Sequence, residues 1–180
     1  METRRDFLKV YHPFSVRQLT VLSILVSLSS VGRIFFQFIP NVQPMTAIFI
    51  IITFVYGLRE GLIVSLLSVT LSNFILGMGP WIFAQIISYA IVMIIAAILV
   101  RPLYQRKRTK WIIIFFLFLT GILYGVIISY LTYKMFGMSR FLPYYLMGIT
   151  FDILHGFGNA GFYIILEPLL KPLLKKAIMN

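Results

Sequence analysis

The sequence predicts an all-α membrane protein, a polytopic bundle of six transmembrane helices with both termini in the cytoplasm. The first observation is composition: of 180 residues, 60% are hydrophobic and 12% are charged, with a mean hydropathy of +0.95. A soluble domain is only about 45–50% apolar and roughly 25% charged. We therefore expect a single membrane domain over residues 1–180, with no soluble catalytic domain beside it.

The second observation is a series of six apolar runs, since a transmembrane helix needs about 20 mainly apolar residues. The expected spans are about 17–38, 45–58, 61–77, 82–100, 111–134 and 143–170, after a cytoplasmic N-terminal segment at 1–16. The second and third runs are short, and a break from Gly57 to Gly61 divides them. We therefore expect these two to be tilted or partly buried inside the bundle.

The third observation is the distribution of basic residues, which sets the orientation because Lys and Arg beside spans collect on the cytoplasmic side. With six spans, thirteen of the 16 Lys and Arg residues fall on the side that carries both termini. Only Arg33, Lys134 and Arg140 fall on the other side. Both termini are therefore predicted to be cytoplasmic. Topology accounts for the net charge of +11 without a nucleic-acid partner.

The last apolar run carries polar residues at steps of three or four, which places them on one helix face. They are Tyr145, Gly148, Asp152, His155, Asn159, Tyr163 and Glu167. At about 1.5 Å per residue, Asp152 lies roughly 13 Å and His155 roughly 18 Å from the outer end near Pro143. Ionisable groups inside a membrane usually face a bundle interior or a cavity. Two interpretations follow: these groups fix helix packing, or they line a polar pocket for a solute.

Other polar residues at the outer ends of the predicted spans favour the pocket. They lie at the end of the first span, in the loop after it, at the end of the third span and at the start of the fourth. A solute that enters from outside would meet these side chains first. The residues are Arg33, Asn41, Gln43, Asn73, Trp81 and Gln85.

Small residues four apart let helices approach closely, and three spans carry such pairs. The third span has Gly61, Ser65, Ser68 and Ser72, for which packing inside the bundle is a sufficient explanation. The fifth span has Gly121 and Gly125, for which packing inside the bundle is a sufficient explanation. The first span has Ser23 and Ser27, followed by Ser30. That stripe lies in the cytoplasmic half of the span, where it packs internally or meets a partner protein.

The sequence lacks the motifs of several kinds of catalytic and metal-binding sites. There is no cysteine, no nucleotide-binding G-x-x-x-x-G-K-[ST] and no H-E-x-x-H. His155 and Asp152 alone are too few ligands for a dedicated metal site. A self-sufficient secondary transporter usually shows an internal repeat and a coupling-ion site, and neither is apparent. We predict no enzymatic activity, no metal and no cofactor.

Three stretches resemble a known family. They are 32–44, with Gly32-Arg33-Ile-Phe-Phe and Ile39-Pro40-Asn41-Val42-Gln43-Pro44; 73–85, with Asn73-Phe-Ile-Leu-Gly77-Met-Gly79-Pro80-Trp81 and Gln85; and 151–159, with Phe151-Asp152, His155-Gly156 and Gly158-Asn159. From about Val16 to Leu174 the chain is similar to the S components of energy-coupling factor (ECF) transporters, which are vitamin-capturing membrane subunits. It resembles most closely the S components assigned to cobalamin.

The resemblance implies a mechanism and partners. An S component captures its vitamin from outside the cell membrane of a prokaryote. It joins a transmembrane coupling protein and two cytoplasmic ATPases, and ATP hydrolysis by these partners topples it so that the pocket opens inward. In the family, an Ala-x-x-x-Ala-like motif on the first span meets the coupling protein. Ser23 and Ser27 occupy that motif here, with Ser30 beyond them.

The resemblance also implies a binding site. Asp152, His155 and Asn159 would form the floor or wall of an outward cavity, with the loops at 39–44 and 78–81 as its rim. Trp81 and Tyr144 or Tyr145 would offer flat faces to the macrocycle of cobalamin, and amide side chains would exchange hydrogen bonds with its amide arms. The expected substrate-binding residues are Arg33, Asn41, Gln43, Asn73, Trp81, Gln85, Tyr145, Asp152, His155 and Asn159.

Alternatives to this hypothesis remain open. The nearest is the same machinery with another vitamin or precursor, such as riboflavin or a queuosine precursor. A stand-alone permease would transport without ATP, and a purely structural membrane subunit would bind no small molecule. Uptake by the chain alone would favour the permease.

Overall fold

The computed structural model describes residues 14–106 and 110–179, and their regular structure is helical. Most of the N-terminal segment predicted at 1–16, together with Lys107 and Arg108, lies outside these residues. A π-helical turn, Ala96–Val100, joins the fourth and fifth helices without a break. The helices are α1 (Val16–Phe35), α2 (Met45–Val55), α3 (Leu58–Leu76), α4 (Trp81–Ile95), α5 (Arg101–Gln105), α6 (Lys110–Met135) and α7 (Phe141–Met179).

Five helical stretches among the described residues are long and apolar enough to cross a membrane. They are α1, α3, the continuous stretch from α4 to α5, α6 and α7. The predicted all-helical membrane bundle is confirmed at this level. The second predicted span, 45–58, corresponds to α2, which has 11 residues and is too short to be counted by length.

α2 lies at the centre of the bundle. Every residue from Met45 to Phe54 is buried, and the helix contacts α1, α3, α4 and α7. A helix that is hydrophobic on all sides is stable when other helices surround it. Its 11 residues cover about 16 Å, which is roughly half of the ~30 Å hydrocarbon core. α2 therefore serves as a core element around which the longer helices pack.

The end of α2 differs from the expected boundary at 58. The helix ends at Val55, and Gly57 follows with a φ of 140°, a conformation that glycine adopts without a steric penalty. Arg101 at the start of α5 donates hydrogen bonds to the carbonyl oxygens of Phe54 (3.3 Å) and Tyr56 (3.5 Å). These bonds satisfy carbonyls that the end of a helix leaves without partners.

α3 begins earlier than expected. Its first residue is Leu58, so Arg59 and Glu60 lie in its first turn and not in a connecting break. The Glu60 carboxylate there is favourable because the start of a helix carries a partial positive charge. The polar break that the sequence indicated is therefore short, and it centres on Gly57.

α7 is longer than the expected span at 143–170. It runs for 39 residues, from Phe141 to Met179, and continues through Pro168 and Pro172. At 1.5 Å per residue it is about 58 Å long, nearly twice the ~30 Å thickness of the hydrocarbon core.

α6 and α7 form the most extensive helix pair of the described residues, and glycines allow their close approach. A Cβ atom at Gly121 would collide with the backbone of Gly156, and one at Gly125 would collide with the carboxyl group of Asp152. A Cβ at Gly156 would come within 2.5 Å of the carbonyl oxygen of Phe118. The small residues of the fifth predicted span therefore pack inside the bundle.

The bundle has two ends, which we call lower and upper. At the lower end, where α1 begins and α7 ends, Arg17 donates a hydrogen bond from Nη2 to the carbonyl oxygen of Lys176 (3.3 Å). At the upper end, α1 and α6 end and α7 begins. The segment 36–44 connects α1 to α2 at this end.

Candidate functional site

The polar stripe of α7 faces the interior of the bundle. Asp152 is 7% exposed, His155 is 2% exposed and Asn159 is fully buried. Residues on the opposite face of α7, such as Met147 and Phe157, are exposed. The helix face predicted from the three-and-four spacing is therefore the buried one.

His155 ties α7 to the connection between α1 and α2. Its Nδ1 lies 2.8 Å from the carbonyl oxygen of Asn41, and its Nε2 lies 3.2 Å from Oγ1 of Thr46. A carbonyl oxygen only accepts, so Nδ1–H donates to Asn41 and, in the neutral ring, Nε2 accepts from the Thr46 hydroxyl. Asn41 has a φ of 57°, the left-handed conformation that asparagine tolerates better than most residues. Both ring nitrogens of His155 are thus engaged.

Two tyrosines that the sequence-based site did not include complete the cluster. The ring of Tyr124 on α6 lies 5.3 Å from the His155 ring and 4.6 Å from the Tyr89 ring on α4. Tyr89 has Thr46 and Gln43 as close polar neighbours. The available signal was the occurrence of polar aromatic residues inside apolar runs, with Tyr124 between two glycines and Tyr89 next to a serine.

The segment 36–44 forms a floor against the middle of α7. The rings of Phe36 and Phe162 are 4.9 Å apart. Val42 lies against Gly158, where an added Cβ would come within 3.2 Å of the Val42 Cα. From His155, beside this floor, α7 continues upward for about 21 Å to Phe141. The upper parts of α6 (124–135) and α7 (141–155) therefore rise above the floor, and we call them the wall.

Several predicted site residues surround a depression at the upper end. Its volume is about 260 Å³, and its polar lining comes from Arg33, Gln37, Asn41 and Gln43. The Arg33 guanidinium also donates from Nη1 to Oγ of Ser72 on α3 (2.8 Å). The structure thus brings Arg33, Asn41 and Gln43 together.

Asn73 and Gln85 bind each other. Nδ2 of Asn73 donates to Oε1 of Gln85 (2.8 Å) and to the carbonyl oxygen of Val69 (2.7 Å). Asn73 is buried and Gln85 is half-buried. This pair links α3 to α4, and both of the Asn73 amide hydrogens have acceptors within the protein.

The two aromatic side chains predicted to offer flat faces to the solute, Trp81 and Tyr145, lie on different helices. Trp81 begins α4, is 42% exposed, and packs its ring over Gly79. Tyr145 is half-buried on the wall, and its ring stacks on Phe141 with centroids 5.9 Å apart and planes 15° apart.

Two buried oxygen atoms of the α7 stripe have no hydrogen-bond donor among residues 14–106 and 110–179: Oδ2 of Asp152 and Oδ1 of Asn159. Asn159 does donate from Nδ2 to Oγ1 of Thr120 on α6 (3.1 Å). The Asp152 carboxyl packs directly against Gly125. Buried acceptors normally have donors, so these two atoms mark positions where a ligand or water would be favourable.

The residues described by the structure contain no group of three or more His, Asp or Glu side chains that could hold a metal ion. The polar cluster around His155 consists instead of aromatic, hydroxyl and amide groups. Such a set can hydrogen-bond and stack on an organic solute.

Comparison with known proteins decides the family. The family model of the ECF transporter substrate-specific component matches residues 17–178. The chain belongs to this family. No curated protein and no solved structure matches it. The predicted resemblance is confirmed at the level of the family.

Membership makes this S component a substrate-binding subunit of a membrane transporter, and not a catalytic enzyme. It also implies assembly with an ECF module of coupling and ATPase subunits. The functional surfaces of the S component are therefore a solute site and a face for the module.

The predicted interface stripe on α1 divides into two parts. Ser23 and Ser27 are exposed and line an apolar groove of about 260 Å³ between α1 and α3. Ser30 is 2% exposed, and its Oγ donates to the carbonyl oxygens of Val26 (2.8 Å) and Ser68 (3.4 Å). Ser30 thus packs within the bundle, whereas the other two serines face outward.

Proposed function

We propose that this S component captures cobalamin from outside the cell and delivers it inward. The observation that carries the proposal is the open depression at the upper end, whose polar lining lies on α1 and the floor segment, which His155 of α7 holds through Asn41. An open depression suits a solute as large as cobalamin better than a sealed cavity would. Amide side chains at 41 and 43 fit amide arms, and the ring of Tyr145 fits a flat macrocycle.

We propose an orientation in which the upper end faces out and six helices, including the short α2, form the membrane bundle. The hydrogen bond between Arg17 and the backbone of Lys176 brings the start of α1 and the end of α7 to the same end. Basic residues at span ends favour the cytoplasm. Most of the described basic residues at helix ends, such as Arg17, Arg59 and Lys171, lie at the lower end. In this proposal the lower end and both termini are cytoplasmic.

The groove beside Ser23 and Ser27 is the proposed contact for the coupling protein. Small exposed residues let a partner helix approach closely, and α1 presents them on its outer surface. In this proposal two cytoplasmic ATPases hydrolyse ATP, the S component topples in the cell membrane of a prokaryote, and the depression opens inward. Because Ser30 is buried, it supports the packing of α1 and makes no direct contact with the partner.

The proposed roles of the solute-binding residues follow their surroundings. Residues that line the depression, lie on the wall, present an exposed ring (Trp81) or carry an unpaired buried acceptor (Asn159) would touch the solute. Asn73 and Gln85 would position the upper ends of α3 and α4 through their mutual bond. His155 would hold the floor through Asn41. The proposed contacting residues are Arg33, Asn41, Gln43, Trp81, Tyr145, Asp152 and Asn159.

Calorimetric titration of the purified chain with cobalamin, and with riboflavin in parallel, tests the substrate. Saturable binding of about one cobalamin per chain, without riboflavin binding, is the expected result. Riboflavin binding alone would replace cobalamin with the alternative vitamin. If neither ligand binds to a monodisperse sample, the cobalamin assignment is wrong, and a queuosine precursor is the next ligand to titrate.

Replacing the buried carboxyl tests its role in the same assay. Asp152→Ala should weaken cobalamin binding roughly tenfold or more, since a hydrogen bond to a charged group contributes about 1.5–3 kcal/mol. Thr150→Ala, on the exposed face of the same helix, should leave the affinity unchanged. Unchanged affinity in a well-folded Asp152→Ala protein would reject Asp152 as a solute contact.

A further inference from the structure

Asp152 is a buried acid that forms no ion pair with the residues described by the structure. It is 7% exposed, and its Oδ2 accepts no hydrogen bond from the described residues. Arg33 forms no ion pair with it within the part of the chain that the structure describes, and instead donates to Ser72. A buried carboxylate is costly without a donor or a cation. The structure therefore leaves a strong acceptor unused on the wall.

Gly148, one turn above Asp152, faces open space. An added Cβ at Gly148 would meet no heavy atom within 4 Å. Cβ atoms at Gly121, Gly125 and Gly156, which lie in the α6–α7 contact, would all collide with neighbouring groups. The position of Gly148 on the interior face of α7 therefore marks a gap in the packing.

The acid and the gap adjoin each other. Asp152 lies one turn below Gly148 on the same face of α7, and its carboxyl group packs against Gly125 of α6, more than 4 Å from the Cβ position of Gly148. Asp152 lies within electrostatic range of the hydroxyl groups of Tyr124 and Tyr145. Tyr124 lies on α6 and Tyr145 on α7, so the acid has aromatic hydroxyl groups near it on both helices of the wall.

We propose that Gly148 and Asp152 form a wall subsite for a cationic or N–H-donating group of the solute, such as a protonated amine or a primary carboxamide. Gly148 provides the room for the group, Asp152 accepts its hydrogen bonds, and the tyrosine rings stack beside it. The inference deepens the proposed solute-binding function, and it commits to donor chemistry whichever vitamin the S component carries. An anionic group would be excluded from this subsite.

Thiol labelling tests the subsite without any assumption about the vitamin, because the natural sequence contains no cysteine. Gly148→Cys in right-side-out vesicles at pH 8 is treated with two membrane-impermeant methanethiosulfonates, one carrying trimethylammonium and the other sulfonate. The cationic reagent should react faster. A local negative charge in a cleft raises the concentration of cations by about tenfold or more, so adding Asp152→Asn should lower the cation-to-anion rate ratio by about that factor.

Gly161→Cys is the matched control. It also lies on α7 and would meet no atom within 4 Å, so both variants should fold. It lies about 20 Å farther along α7 toward the lower end and should not react with reagents added outside. Labelling after denaturation confirms that each thiol is present. A Gly148→Cys protein that reacts only after denaturation overturns the subsite, and so does a rate ratio that Asp152→Asn leaves unchanged.

The failure of the subsite and the failure of the proposed function give different results. Charge-dependent labelling without cobalamin binding would support the subsite and reject the cobalamin assignment. Cobalamin binding with an unreactive Gly148→Cys would do the opposite. When both hold, bound cobalamin should slow the labelling of Gly148→Cys at least about tenfold, as expected when an occupied site excludes the reagent.

Discussion

Two pairs of small residues with the same four-residue spacing, Ser23 and Ser27 on α1 and Gly121 and Gly125 on α6, have different surroundings. The glycines are buried against the backbone and carboxyl group of α7, where an added Cβ would collide. The serines are exposed beside an apolar groove. The spacing predicts that another helix can approach closely. Whether that helix belongs to the same chain or to a partner depends on the fold.

The comparison separates stability from assembly. A larger side chain in the buried pair must displace backbone, which a packed interior resists. A larger side chain in the exposed pair enters an open surface groove and displaces no backbone of its own chain, so its effect should fall on the partner. The same substitution therefore has a different expected readout at each pair.

The largest expected effect is on the buried pair. Gly121→Leu should lower the free energy of unfolding by at least about 3 kcal/mol or prevent folding, because the backbone of Gly156 cannot move aside. Thermal unfolding and monodispersity in detergent measure this loss. Gly161→Ala is the control, since its Cβ would meet open space. A Gly121→Leu protein as stable as the wild type would mean that α6 and α7 are not closely packed.

The exposed pair should show the second effect. Ser23→Trp should leave the melting temperature and solute binding unchanged but abolish co-purification with the coupling protein, since the indole would fill the groove. Leu28→Trp, exposed on another face of α1, should assemble normally. Normal assembly and uptake with Ser23→Trp would show that the module docks elsewhere.

The smallest effect is expected for Ser27→Ala. The Ser27 hydroxyl donates to the carbonyl oxygen of Ser23 (3.1 Å), so its hydrogen is used within α1. Stability should change by less than about 0.5 kcal/mol, and assembly should be retained. Unfolding curves and co-purification measure the two quantities. A clear loss of assembly would show that the hydroxyl itself contacts the coupling protein, and that size is not the property that matters.

The candidate site was partly predictable. The three-and-four spacing placed Asp152, His155 and Asn159 on one face, because a helix turns by a fixed angle per residue. In the structure that face is buried. The backbone carbonyl of Asn41 that binds His155 could not be predicted, since every residue has such a group. The role of Tyr124 could not be predicted either. Inside an apolar run, the sequence around a tyrosine that faces lipid does not differ from the sequence around one that faces His155.

The sequence by itself determined the membrane class, the helical bundle and the polar face of α7, because hydropathy and helical periodicity are local properties of the chain. Only the tertiary structure decided that α2 is a buried central helix and that Ser30 packs inward while Ser23 and Ser27 face outward. Lipid and a protein core are equally apolar, so hydrophobicity cannot distinguish a helix surrounded by lipid from one surrounded by other helices.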